Sequence, residues 1–198
     1  NPSCFGLEDG SALIGVSGGK APYTIQWDDP QNQSGTELKN VGEGSYTAQI
    51  TDANNCSFTI SVSLSAPPLL TLNPISKTDI ACKGEATGSA TAQAAGGTSP
   101  YTYQWNDSYA QTGANAENLI AGTYTVVSTD ANGCTATGTV TIGEPNQHLN
   151  LSITSKSDVK CQGDSSGTAT VLATGGTAPY SYLWSDHKKQ NTRIASKN

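Results

Sequence analysis

The chain has 198 residues, of which 21 are glycine, 13% are charged and 7% are aromatic. That is a composition of short strands joined by tight turns, and it argues against long helices. A formal net charge of -6, with no stripe of Lys and Arg to displace counterions, argues against nucleic acid as a partner. No run approaches the ~20 apolar residues of a membrane helix, so no segment is expected to span or insert into a bilayer.

The first element signals come at once. Cys4-Phe5-Gly6 precedes the alternating run SALIGVS, then Gly18-Gly19 leads through Pro22-Tyr23 into a strand ending at Trp27. The double Gly gives backbone freedom for a corner, and Pro is tolerated where a strand begins. After a polar loop, Gly44-Ser45-Tyr46 opens another alternating strand. Asp52-Ala53-Asn54-Asn55 then makes a hairpin turn before Cys56, and SFTISVSL is the last strand. Asp and Asn suit that turn because their side chains bond to their own backbone and Asn accepts positive φ.

The linker Ser65-Ala66-Pro67-Pro68 starts a second copy. LLTLNPIS resumes alternation, and Cys82-Lys83-Gly84, SATAQAA, GGTSPY and Trp105 follow. Gly122-Thr123-Tyr124, the turn Asp130-Ala131-Asn132-Gly133, Cys134 and TATGTVTI complete the copy. Gly143-Glu144-Pro145-Asn146 introduces a third copy with LNLSITS, Cys161-Gln162-Gly163, TATVLAT, GGTAPY and Trp184. The step is about 78 residues, the mark of a repeat architecture. Period-2 runs punctuated by Gly, Pro and Asn indicate a small β-sandwich. We therefore expect tandem immunoglobulin-like β-sandwich modules at 1–66 (first strand missing), 67–145 and 146–198 (cut short). The tail from His187, HKKQNTRIASKN, matches nothing in the other copies and is expected to lack the strands found there; Lys188, Lys189 and Arg193 read as a solvated end. The chain opens with Asn1, contains no Met and shows no leader, so it reads as a mature or excised piece.

Cys4 with Cys56, and Cys82 with Cys134, are equally spaced, which makes a disulfide inside each complete module the simplest reading. Closing ~50 residues would stabilise a module by roughly 4 kcal/mol in the chain-entropy view, and it implies an oxidising, extracellular compartment. Cys161 is left over because its partner would lie in the missing half. The alternative, zinc held by Cys, lacks a CxxC pair or a recurring His. Trp27, Trp105 and Trp184, with Tyr46 and Tyr124, are expected to build the cores, the Trp packing against the disulfide. An exposed Trp platform for sugars is the competing view. Asp52, Asn54, Asp130 and Asn132 are weak calcium candidates that already have turn duties, and no cofactor is otherwise expected.

For catalysis, neither His148 nor His187 recurs, and no HExxH, GxSxG or phosphate-binding Gly loop occurs. Glu8, Asp9, Asp28 and Asp29 could be imagined as an acid/base pair. Copy two offers Glu85 and Asp107 at a different spacing, so these read as solvated loop charges, and no enzyme is expected.

The template CxGxxxGxAxxxxxGGxxPYxxxW followed by GxYTxxxTDxxxC resembles the SprB repeat, named for a gliding-motility surface adhesin of Bacteroidota. The resemblance implies a very large repetitive protein at the cell surface, often exported by type IX secretion, acting as an adhesive filament or stalk. It leaves the ligand open, whether an extracellular surface or a polysaccharide. A carbohydrate-binding array is the alternative, with Tyr109 and Phe5 as its hints.

Overall fold

The computed structural model describes residues 1–72 and 75–196. Sixteen strands and no helix occur among them, so the chain is all-β as its composition and alternation require, and no helix is long and apolar enough to cross a membrane. The residues divide into two compact units: Asn1–Ile75 with Ala92–Ala114 and Thr125–Gly138, and Ser76–Thr91 with Asn115–Tyr124 and Thr139–Asn198.

In the first unit, β1 (Gly10–Leu13) pairs with β3 (Glu37–Val41), and β2 (Thr24–Trp27), β4 (Gly44–Thr51) and β5 (Ser57–Leu64) form a second antiparallel sheet in the order β2-β4-β5. Side chains alternate across each strand, and the inward residues of both sheets meet in one cluster of Ile25, Trp27, Leu38, Val41, Ala48 and Leu64. Two sheets sharing that core make a β-sandwich. Trp27 pairs with Ala48 across β2 and β4, the small residue leaving room for the large ring. Phe58 and Ile60 pair with Ile50 and Ala48 on the same face, yet are 69% and 46% exposed, and among the described residues no strand pairs over that end of the sheet.

The second copy has that strand. β6 (Thr71–Leu72) pairs with β9 (Ala94–Ala95), and Leu70 and Leu72 are buried. A Cβ on Gly138, the counterpart of Ile60, would lie 2.6 Å from Ile75 Cδ1, so this site takes Gly where copy one carries Ile. A Cβ on Gly96 would lie 2.0 Å from the Leu69 carbonyl oxygen, which explains why the corner before Pro100 begins with Gly. β10 (Thr102–Trp105), β12 (Gly122–Thr129) and β13 (Thr135–Ile142) form a sheet in that order, with Trp105 opposite Val126 and both buried.

The second unit contains β7 (Ser76–Thr78), β8 (Gly88–Thr91) and β11 (Asn115–Leu119) in the order β11-β8-β7. It also contains β14 (Asn150–Ser157), β15 (Thr168–Thr174) and β16 (Ile194–Ser196) in the order β14-β15-β16. β16 corrects the reading of the tail. Residues from His187 onward do follow the template: β16 is the counterpart of β3 and β11, and Thr168, Ala169 and Thr170 pair with Ser196, Ala195 and Ile194. Position-by-position side-chain identity is low there, which hid the match; what persists is a polar spine described below.

Candidate functional site

Three polar motifs recur in the loops and account for most of the repeated side chains. The first follows each Trp. Asp29 Oδ1 accepts the Gln33 amide at 2.7 Å, and its Oδ2 accepts the Gln31 amide at 3.1 Å and Gln33 Nε2 at 3.0 Å. Asp107 does the same with the amides of Gln111 and Tyr109 and with Gln111 Nε2, and Asp186 with the amides of Gln190 and Lys188 and with Gln190 Nε2. The Gln then ties the loop to the following strand: Gln33 Nε2 donates to the Lys39 carbonyl and its Oε1 accepts the Lys39 amide, and Gln190 repeats both bonds on Ser196. The indole Nε1 of Trp27, Trp105 and Trp184 donates to the carbonyl of Gly35, Gly113 and Thr192 at 3.0, 2.9 and 2.9 Å.

Asp29 and Asp107 are buried at 2% and 7% exposure, so these two are not solvated loop charges as their scattered neighbours suggested. Burial pushes their carboxyls up, but the amides and the Gln side chain push further the other way, and both end below the ordinary carboxylate value. The Trp-x-Asp-x-x-x-Gln spacing was legible in all three copies and was the signal for this loop.

The second motif is the hairpin. Asp52 Oδ1 accepts the amides of Asn54 and Cys56, and Oδ2 that of Lys20. Asp130 takes the amides of Asn132, Cys134 and Thr98 in the same way. The Cys56 and Lys20 amides hold Asp52 below its usual value; for Asp130, burial opposes but the amides of Thr98, Cys134 and Asn132 prevail. Each of these carboxylates accepts three backbone amides. Asn132 Nδ2 donates instead to the carbonyl of Ser3 and to Thr98 Oγ1. Among the described residues no group of three or more His, Cys, Asp or Glu side chains stands where a metal could be held.

The third motif is a pair of tyrosine corners. Tyr46 and Tyr124 are half-buried, and their hydroxyls donate to the carbonyls of Gly42 and Ile120, the corner known from immunoglobulin-like sandwiches. Tyr23, Tyr101 and Tyr180 close the Gly-Gly corner by donating to Gly18, Gly96 and Gly175. Trp27 and Trp105 are buried at 1% exposure and Trp184 is half-buried.

The cysteines depart from the spacing argument. The disulfide joins Cys4 to Cys134, 130 residues apart, with Cα atoms 5.8 Å from each other; Cys56, Cys82 and Cys161 are free and exposed. Neither Cys4–Cys56 nor Cys82–Cys134 forms. The turn of copy one lies against the hairpin of copy two, and sequence spacing carries no information about that approach. Consequently Trp27 packs among aliphatic residues, with no disulfide in its cluster. Tyr109 and Phe5 are exposed at 74% and 53%, but their counterparts are Gln31 and Lys188, and Lys83 and Gln162, so no aromatic ladder results.

Residues 1–32, 75–109 and 153–188 match the SprB repeat, together more than half of the chain. The chain belongs to the SprB repeat family. Each matched SprB stretch runs from the strand or turn before the first Cys to just past the loop Asp (Asp29, Asp107 or Asp186), leaving the hairpin cysteines Cys56 and Cys134 outside it. No curated protein matches the chain. Among solved structures it is similar to the amphioxus IgVJ-C2 molecule (13% identity, 68% of this chain and 94% of that one, TM-score 0.31). It is also similar to a C-terminal fragment of intimin in complex with the intimin-binding domain of its receptor (16%, 69% and 59%, 0.36). A third is a tetra-tandem repeat in the extending region of a large adhesion protein (17%, 90% and 56%, 0.25). The chain spans little more than half of the latter two.

Proposed function

We propose that this chain is a non-enzymatic stalk or adhesin segment of a large repetitive bacterial cell-surface protein, exported to an oxidising exterior and projecting or mediating surface attachment in the manner of gliding adhesins. Its modules are 1–66, 67–145 and 146–198. One observation carries the reading: the recurring polar side chains, Asp29, Asp52 and Gln33 with their counterparts, are occupied in holding their own backbone. What the repeat preserves is therefore shape and pitch, while loop positions that face solvent vary between copies. Modules in series on Pro-bearing linkers make a rod whose reach grows with copy number.

The test is glycan-array and polysaccharide pull-down with the full chain and its Tyr109→Ala variant. Absence of glycan binding by both proteins supports a spacer. Binding by the parent that Tyr109→Ala abolishes while melting is unchanged would overturn the stalk reading in favour of a carbohydrate-binding array.

A further inference from the structure

Cysteine occupies two kinds of position in this repeat, and each kind has one local geometry. Cys4, Cys82 and Cys161 each open the same turn, with the carbonyl accepting the amide three residues on at 3.2, 3.3 and 3.0 Å and a Gly of positive φ between them, Gly6, Gly84 and Gly163. Cys56 and Cys134 each close the same hairpin, with the amide on the Asp carboxylate at 2.9 Å and the carbonyl accepting the Asp amide at 3.0 Å. The disulfide that forms, Cys4–Cys134, joins the turn of one copy to the hairpin of the next.

The approach that makes this bond possible recurs one copy later. At the first junction, Asn132 bridges the Ser3 carbonyl and Thr98 Oγ1, bringing the corner after Gly97 to the residue preceding Cys4. At the next, Thr177 Oγ1 lies 3.5 Å from the Ala81 carbonyl; these are the counterparts of Thr98 and Ser3, and Ala81 precedes Cys82. In copy two the hairpin fills the space against the corner, where a Cβ on Gly97 would lie 2.5 Å from Asp130 Oδ2. In copy three the counterparts Gly176 and Thr177 border an open cleft that Asp79, Glu144 and Asn146 also line, and Cys82 is exposed.

We propose that the cysteines of this repeat form a ladder in which each turn Cys bonds to the hairpin Cys of the following copy. Cys82 and Cys161 receive hairpins of later copies, and Cys56 bonds to the turn of an earlier one. The inference goes beyond the stalk reading and rests on the repeat register alone. Each rung forms as two S–H bonds break and one S–S bond is made; the two electrons and two protons pass to a low-molecular-weight disulfide, which is reduced to two thiols. Because Cys82 lies in sequence between Cys4 and Cys134, successive rungs overlap, and a module cannot be drawn out of the array under tension while its rungs are intact.

Two measurements on the oxidised protein decide it. Alkylation of the full chain without reduction, followed by peptide mass mapping, is expected to label Cys56, Cys82 and Cys161 and to recover a Cys4–Cys134 peptide. Recovery of Cys4–Cys56 and Cys82–Cys134, with Cys161 alone labelled, overturns the ladder. The chain is then extended after Asn198 by a second copy of its own residues 120–142, which supplies a third hairpin. The added Cys is expected to be found bonded to Cys82 and to become alkylatable in the Cys82→Ser version. Its recovery bonded to Cys161 or Cys56, or alkylated in the parent extension, overturns the proposal.

Discussion

Asp29, Asp107 and Asp186 each replace water with two amides and a Gln side chain. An acceptor removed from such a place strands buried donors, at ~1–3 kcal/mol. Asp107→Ala is therefore expected to cost its module about 2 kcal/mol in urea unfolding, while Tyr109→Ala, on the same loop but exposed, changes it by less than about 0.5 kcal/mol. These aspartates and Asp52 and Asp130 have folded values below the ordinary one. On acidification the unfolded chain binds protons first, so their stabilising effect is complete above about pH 4 and is lost as pH falls through the lower folded values. Melting temperature is expected to be flat from neutral pH to about 5 and to fall below about 4, and a fall centred near pH 6 would contradict this. Ser128 offers the opposite case: its Oγ is buried with no hydrogen-bond partner among the described residues, and the counterpart in copy one is Ile50. Ser128→Ala is expected to stabilise by ~1 kcal/mol, because an unsatisfied hydroxyl is removed from an apolar site.

Strands of like sequence pattern differ in burial according to what lies over them. β4 and β5 pair over their full length and present Ala48 and Leu64 to a closed core. β14 pairs with β15 from Asn150 to Ser157, yet every one of its residues is exposed, and Leu149, Leu151 and Leu183 border an open groove. Backbone bonds without apolar cover open at low free energy. Amide exchange is expected to be at least tenfold slower in β4, the central strand of its sheet, than in β14 and β16, and equal protection would contradict the burial pattern. The sequence shows these strands through alternation alone, since a period of two is a local property. It also carries the Asp-to-Gln loop, whose partners lie four residues apart, but Asp29 and Asp107 read there as solvated charges, because their burial depends on how the loop folds back on the strand. The tail strand Ile194–Ser196 was obscured because only Asp186, Gln190 and an apolar inward residue (Leu38, Ala116, Ala195) persist from copy to copy, and its pairing to Thr168–Thr170 depends on residues more than twenty positions away.

Across the molecule the disulfide sets the largest constraint. Closing a loop of 130 residues lowers the entropy of the unfolded chain by the equivalent of ~5 kcal/mol in the chain-entropy limit, against ~4 for the shorter pairing. Reduction is expected to lower the denaturant midpoint of the first unit, and Cys134→Ser is expected to reproduce the shift without reductant, whereas Cys56→Ser leaves the midpoint in place. Repeat number, the succession of alternating runs, the Trp and Tyr positions and the all-β class follow from the sequence by itself, because each rests on residues close together in the chain or on identity between copies. Cysteine pairing does not. Two equal spacings make Cys4–Cys56 and Cys82–Cys134 attractive on paper, but a disulfide needs Cα atoms about 6 Å apart. Which turn comes that near which hairpin is decided by how the Ser3, Thr98 and Asn132 junction packs, a property of the tertiary structure alone.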